Sequence, residues 1–191
     1  PDVVFANDGK TCAEHRAMAR ARILTWLEQR WLYGFTEWYS TVYYVEDIAH
    51  VKDPTNTTQN DQVFNDVRAR YYSRSKFEQG YPAATGIGMN TGGVIIGFVA
   101  VSDSDMLGIA PIRNPRQIDA HSYSKGMLIG KETGIMDEKC TPKFERAKLV
   151  RLEDRSYIYV SGTAAIVGET SVHLGNVEAQ TVTTIENIYE L

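Results

Sequence analysis

The sequence predicts an α+β protein, and three observations predict it. Segments of helical period alternate with runs of aromatic and β-branched residues. The order is α–β–α–β–β, then a long connector, then β–loop–α. No phosphate-cradling glycine loop joins a strand to a helix, so the doubly wound nucleotide-binding classes are set aside. Strands beside helices laid on one face make a two-layer architecture.

Each element has its own local reason. In residues 11–32, Ala13, Ala17, Leu24, Leu27 and Trp31 recur at helical steps and form one apolar stripe. Arg16, Arg20, Arg22 and Arg30 occupy other positions and read as a solvated face. Residues 35–48 (FTEWYSTVYYVEDI) are strand, because aromatic and β-branched side chains suit a pleated, half-buried surface. Residues 52–60 form a polar loop broken by Pro54. Residues 61–77 are helical, with Phe64, Val67 and Tyr71 on one face. Strands follow at 82–89 and 94–101, joined by a turn of Asn90, Thr91, Gly92 and Gly93, residues that tolerate positive φ. Residues 103–150 carry prolines and scattered charge without sustained period, and are expected to be a long structured connector. Residues 157–167 (YIYVSGTAAIV) read as one buried strand and 168–176 as a loop. Asn176 is placed to cap a last helix whose face carries Val182, Ile185 and Tyr189.

Composition narrows the function classes. The 191 residues are 43% hydrophobic and 23% charged, which is ordinary for a folded domain. The net charge of −4 supplies no basic field for nucleic acid or anionic membrane. The longest apolar run, 94–101, is too short to span a bilayer. Cys12 and Cys140 lie 128 residues apart without a CxxC, so two reduced thiols and a cytoplasmic location are expected. The glycosylation-type triplet Asn56-Thr57-Thr58 reads as a chance match in a polar loop. His15, His50, His121 and His173 are too dispersed for a helical metal pair, so no metal site and no cofactor are expected. The chain opens on Pro1, and its final helical pattern runs to Leu191, so it is expected to be a piece of something longer.

Arginine is the more informative residue type. Arg68, Arg70 and Arg74 are interleaved with Tyr71 and Tyr72, while Arg113, Arg116 and Arg146 sit in or beside the connector. A planar guanidinium pairs bidentately with carboxylate, so arginines converging on a pocket select a small polyanion. For Arg68 the expected state is a solvated helix face. Arg74, Arg116 and Arg146 stay open between that state and ligand binding.

Several motifs together resemble a known family. They are Gly162-Thr163-Ala164-Ala165-Ile166-Val167-Gly168, Val172-His173, Gly175-Asn176, Ala179-Gln180-Thr181 and Glu186-Asn187-Ile188. Upstream stand Pro82-Ala83-Ala84-Thr85-Gly86-Ile87-Gly88, Asn114-Pro115-Arg116-Gln117, Tyr123 and Phe144-x-Arg146-Ala147. This ordered set resembles the Rid/YjgF fold (chorismate-mutase-like), and within it the chorismatase branch. The loop reads Gly175-Asn176 where that branch has Gly-Asp, and residues 125–140 look longer than its connector.

The resemblance implies Rid-like sheets backed by helices. Residues 1–105 would form an amino-terminal unit without its opening strands, 106–150 a connector, and 151–191 the first half of a second unit. It implies hydrolysis of chorismate to pyruvate plus a dihydroxycyclohexadiene carboxylate or a hydroxybenzoate. It assigns substrate contact to Arg74, Arg116, Tyr123, Arg146 and Thr163. The branch's catalytic acid, a Glu on the last strand of the second unit, has no counterpart in this sequence, so the catalytic residue is unassigned. The implied partner is a small aromatic or enol-pyruvyl carboxylate, with oligomers formed through sheet packing. Two alternatives come with the fold. One is imine deamination, which relies on an arginine that Pro82-Ala83-Ala84-Thr85 lacks. The other is non-catalytic carboxylate binding. Rid-fold proteins are also described as endoribonucleases, but no paired histidines and no basic surplus support RNA cleavage here.

Overall fold

The computed structural model describes residues 21, 37–49, 59–73, 77–91, 93–101, 108–128 and 139–191. The helix expected at 11–32 lies outside them, residue 21 excepted. Strand β1 (Glu37–Glu46) is the centre of the first sheet, in the order β2-β1-β3. Its alternation is that of a strand covered on one face, with Thr41, Tyr43 and Val45 all buried. β1 runs parallel to β2 (Ala83–Met89) and antiparallel to β3 (Val94–Val101). Parallel neighbours need a crossover, and helix α1 (Asn60–Tyr72) supplies it. As the periodicity predicts, Phe64, Val67 and Tyr71 face the sheet, packing against Tyr43, Val45, Ala84 and Val94. The helix stops at Tyr72, short of the expected 77; Phe77 instead packs its ring 4.7 Å from that of Tyr72 and 5.2 Å from that of Tyr81.

The strands flanking the turn expected at 90–93 do not pair with each other, because β1 lies between them, so the expected turn is no tight hairpin; of it, residues 90, 91 and 93 are described. Glu46 fastens it: its N–H donates to Gly93 O at 2.7 Å and its carboxylate accepts from Gly93 N at 3.1 Å. Gly93 has φ of 72°, a conformation open to glycine at little cost.

The connector holds two strands that sequence periodicity does not reveal. β4 (Gly108–Ile112) and β5 (Ala147–Arg151) form an antiparallel meander with β6 (Ser156–Val160). The single strand expected at 157–167 is divided. β6 ends at Val160, and after a non-strand stretch the short β7 (Ile166–Val167) pairs with β8 (Thr170–Ser171). The break occurs where Ser161 and Gly162 turn to bond the first sheet. Ala84 N donates to Ser161 Oγ at 2.9 Å, and Gly162 N donates to Ala84 O at 3.1 Å. Ser161 Oγ in turn donates to Glu145 O, while Ala83 and Glu145 form a parallel bridge. Through these bonds the start of β2 joins the two sheets.

Helix α2 (Val177–Tyr189) begins as predicted, with the Asn176 side chain accepting from Ala179 N at 3.1 Å. Its orientation differs from the expectation. Val182, Ile185 and Tyr189 are exposed, and Thr183 and Asn187 face inward. Asn187 Nδ2 donates to Ala164 O and Ile166 O, both at 3.0 Å, so the helix is fastened by its amide to strand-end carbonyls. Among the described residues no helix is long and apolar enough to cross a membrane.

Candidate functional site

The sheet junction carries a cavity of about 430 Å³, lined by the first sheet, the start of α1, the connector and the stretch after β6. Tyr43 and Gly86 come from neighbouring strands, Asp61 from the first turn of α1, and Tyr123, Arg146 and Thr163 from the connector side and the stretch after β6. Phe144 and Ile166 add apolar wall. Gly86 is required by close approach, because a Cβ there would stand 2.7 Å from the Tyr43 ring.

Arg146 is the cation of this cavity. It is buried, and its guanidinium donates to Ile118 O and, from Nη2, to Tyr123 Oη at 2.6 Å. It also lies 5.4 Å from the Tyr123 ring centroid and 5.7 Å from that of Phe144. No carboxylate among the described residues forms an ion pair with it. A buried charge without a counter-ion is costly unless an anion joins it, so this arrangement suits an incoming carboxylate. Thr163 is held by Gln117, whose amide lies 3.3 Å from Thr163 Oγ1 and also donates to Ile166 O at 3.2 Å.

Of the five residues assigned from sequence, Tyr123, Arg146 and Thr163 meet on this cavity. Arg116 does not. Its Nη1 pairs with Glu186 Oε2 at 2.8 Å, on a separate groove of about 640 Å³ shared with His173 and α2. Arg74 lies outside the described residues.

Asp61 lines the cavity and Arg68 stands behind it, neither of them a site candidate from the sequence. Arg68 is 1% exposed, against the solvated helix face expected for it. Its guanidinium lies 5.0 Å from the Tyr43 ring, 5.5 Å from Phe64 and 6.0 Å from Phe144. Those ring faces offset part of its desolvation. Nη2 donates to Asn65 Oδ1 at 2.7 Å, and Nε and Nη1 have no hydrogen-bond partner among the described residues. Asn65 passes the chain on, its Nδ2 donating to Asp61 Oδ2 at 3.0 Å. Burial pushes the Asp61 carboxyl above the usual carboxylate range, although the Arg68 charge and the Asn65 bond pull the other way. The signal in the sequence was the spacing of Asp61, Asn65 and Arg68, which lie four and three apart on one helix. Tyr43, beside them, is pushed up to about 12 by burial, with Arg68 opposing.

Among the described residues one grouping has ligand atoms close enough for a cation: Asp119, His121 and Glu145, within 4.8 Å of one another. Asp119 Oδ1 is buried without a hydrogen-bond partner among the described residues, and the other groups are engaged. Glu145 accepts from Tyr81 N at 2.9 Å and faces His121 Nε2 at 3.5 Å, while Asp119 pairs with Arg113 at 3.3 Å. Glu145 is an ion-pair anchor behind the cavity. Burial pushes its carboxyl up, but the bonds from His121 and Tyr81 N–H and the charges of His121 and Lys148 outweigh that and hold it below the usual range.

Known proteins bear on this geometry. No protein-family model matches the chain. It is 28% identical over 199 aligned positions to a 3-hydroxybenzoate synthase of Streptomyces hygroscopicus, covering 97% of this chain and 54% of that protein. It is 36% identical over 109 positions to a chorismatase of Streptomyces rapamycinicus, covering 56% of this chain and 29% of the relative. The fold superposes on the crystal structure of a chorismatase with a TM-score of 0.74 at 24% identity, over 99% of this chain and 52% of that one. The chain thus spans about half the length of the first relative and of the solved structure. The mixed α+β architecture is that of the chorismatase structure, and in sequence the chain is similar to a 3-hydroxybenzoate synthase over nearly its whole length and to chorismatases over about half of it.

Proposed function

We propose that the protein acts as a chorismatase, hydrolysing chorismate to pyruvate plus a dihydroxycyclohexadiene carboxylate or a hydroxybenzoate. The observation that carries this reading is the buried Arg146, bonded to Tyr123 and without a carboxylate partner among the described residues, on a cavity it shares with Thr163. Chorismate is a compact dicarboxylate with an apolar ring edge. A guanidinium and a phenol hydroxyl suit one carboxylate, and Phe144 and Ile166 suit the ring. Similarity to a 3-hydroxybenzoate synthase and to chorismatases supports the same substrate. On this reading the fold is of the Rid/YjgF type. Residues 1–105 and 151–191 then belong to two such units joined by 106–150, in a cytoplasmic enzyme.

The test is to incubate the full-length gene product with chorismate and to assay pyruvate by a coupled dehydrogenase. Pyruvate release that depends on enzyme concentration is expected. Absence of pyruvate together with absence of a chorismate-induced rise in melting temperature overturns the reading.

A further inference from the structure

We propose that Asp119, His121 and Glu145 form a zinc site that clamps the connector to the join between the two sheets. The proposal does not rest on the chorismate reading. The three residues offer one imidazole nitrogen and two carboxylate oxygens, all within 4.8 Å of one another. That donor set suits zinc, which takes histidine nitrogen at about 2.0–2.1 Å and carboxylate oxygen at about 2.0–2.2 Å. Each ligand is divided between an outer bond and an inward atom. Glu145 Oε1 accepts from Tyr81 N–H at 2.9 Å, which leaves Oε2 for the centre. Asp119 Oδ2 pairs with Arg113 at 3.3 Å, which leaves Oδ1. His121 Nδ1 lies 3.1 Å from Ser122 Oγ, which leaves Nε2. With Nδ1–H donating to that hydroxyl, Nε2 carries the lone pair a metal needs. Outer partners of this kind orient the ligands of metal sites. Ser122 N–H closes the turn beneath two of the ligands, donating to Asp119 O at 2.8 Å. The His121 ring is held against Tyr81, with ring centroids 5.5 Å apart.

The inward atoms are under-satisfied where that is costly. Asp119 Oδ1 is shielded from solvent and has no hydrogen-bond partner among the described residues. The Glu145 side chain is 7% exposed, and its Oε2 stands 3.5 Å from His121 Nε2. That is longer than a charge-assisted hydrogen bond of about 2.7–2.9 Å. It is close to the ligand-to-ligand edge of a tetrahedral ion, about 3.4 Å for bonds of about 2.1 Å. Arg113, largely exposed, is a weak counter-ion for Asp119. One divalent ion satisfies Oδ1 and Oε2 together and balances both carboxylates. The His121 side chain is 24% exposed, so an ion has a way in and water can complete the tetrahedron.

The position gives the clamp its role. Asp119 and His121 belong to the connector, while Glu145 bridges to Ala83 at the start of β2. Tyr123 follows His121 by two residues, and Arg146 follows Glu145 directly. The ion therefore fixes the backbone that aims these two cavity residues, and stands behind the cavity without entering it.

The experiment titrates the chelator-stripped full chain with zinc chloride by calorimetry, beside Asp119→Asn, His121→Gln and Ser122→Ala. The wild type should take up one equivalent, and zinc should raise its melting temperature. Asp119→Asn and His121→Gln are each expected to weaken zinc binding by about a hundredfold or more. Ser122→Ala should weaken it by about tenfold, because it removes only the bond that orients the imidazole. Cobalt(II) in place of zinc should give the wild type the visible bands of a four-coordinate centre, and His121→Gln should lose them. Melting curves of the stripped proteins show which variants fold. Ser122→Ala alters an exposed hydroxyl and keeps the test open should a ligand variant fail to fold. A wild type that binds no equivalent of zinc overturns the site. Equal zinc affinity in the wild type and the folded variants overturns it too, since the ion then sits on other histidines or cysteines of the chain.

Discussion

Arg146 is a cation that the fold buries before any ligand arrives. Its bonds to Ile118 O and Tyr123 Oη fix the plane of the guanidinium, so little side-chain entropy is left to lose on binding a carboxylate. Charge-assisted bonds of this kind contribute about 1.5–3 kcal/mol. On the proposed chorismatase reading, replacing Arg146 by Met is therefore expected to weaken chorismate binding by roughly 10- to 150-fold by calorimetric titration. Arg146→Lys should recover only part, since an ammonium keeps the charge and loses the fork. Tyr123→Phe should cost up to about tenfold. Equal affinity across the three variants would remove Arg146 from the site. Residue-level legibility was uneven. Tyr123, Arg146 and Thr163 came from matched motifs, whereas composition alone gave no reason to group them. Arg68 was read as solvated because its neighbours Arg70 and Arg74 look like a charged helix face. The rings that bury it, Tyr43 and Phe144, lie far away in sequence and carry no local mark.

At the scale of elements, α2 shows how hydrophobic pattern can mislead. Its apolar residues Val182, Ile185 and Ile188 are roughly half exposed, while Thr183 and Asn187 carry the contact. The surface it meets presents the backbone carbonyls of Ala164 and Ile166, whose second lone pairs take donors rather than methyl groups. Asn187 supplies two, and its own carbonyl accepts from Asn114 Nδ2 at 2.7 Å. Asn187→Ala is expected to destabilise by about 0.5–1.5 kcal/mol for each of the two hydrogen bonds it removes. Ile185→Ala should stay within about 0.5 kcal/mol. Urea midpoints measure both, and a larger loss for Ile185→Ala would reverse the assigned orientation. The strands β1, β2 and β3 and the Asn176 cap were legible because their signals are local. β4 and β5 were not, because each is five residues long. The first carries Pro111 and the second a fully buried Lys148, both atypical of strands.

At the scale of the molecule, the cavity and the join between the sheets are one structure, since Arg146 directly follows the residue that bridges them. Glu145 pairs its backbone with Pro82 and Ala83 of the first sheet, and its carboxylate accepts from Tyr81 N–H. His121 faces the same carboxylate from the segment that carries Tyr123. Lys148, the Lys of β5, donates to Gly80 O at 3.1 Å on the same approach to β2. Gly80 takes φ of 77°, and a Cβ there would stand 2.7 Å from Glu145 Oε1, so the carboxylate sits tight against the turn. The sign of the linkage follows from the lowered position of Glu145. Its contribution to stability is fully present above the unfolded carboxyl's titration, near pH 4.3 for a free Glu. It is lost as pH falls through the lower folded value. Glu145→Gln should then be less stable than wild type at neutral pH, and the gap should narrow on acidification through that window. Because the junction also positions Arg146 and the His121–Tyr123 segment, on the proposed chorismatase reading the same variant should also weaken chorismate binding. Urea midpoints from pH 7 down through the carboxyl range, with titrations at pH 7, measure both effects. A stability gap constant with pH would show that Glu145 holds the sheets by shape and not by charge.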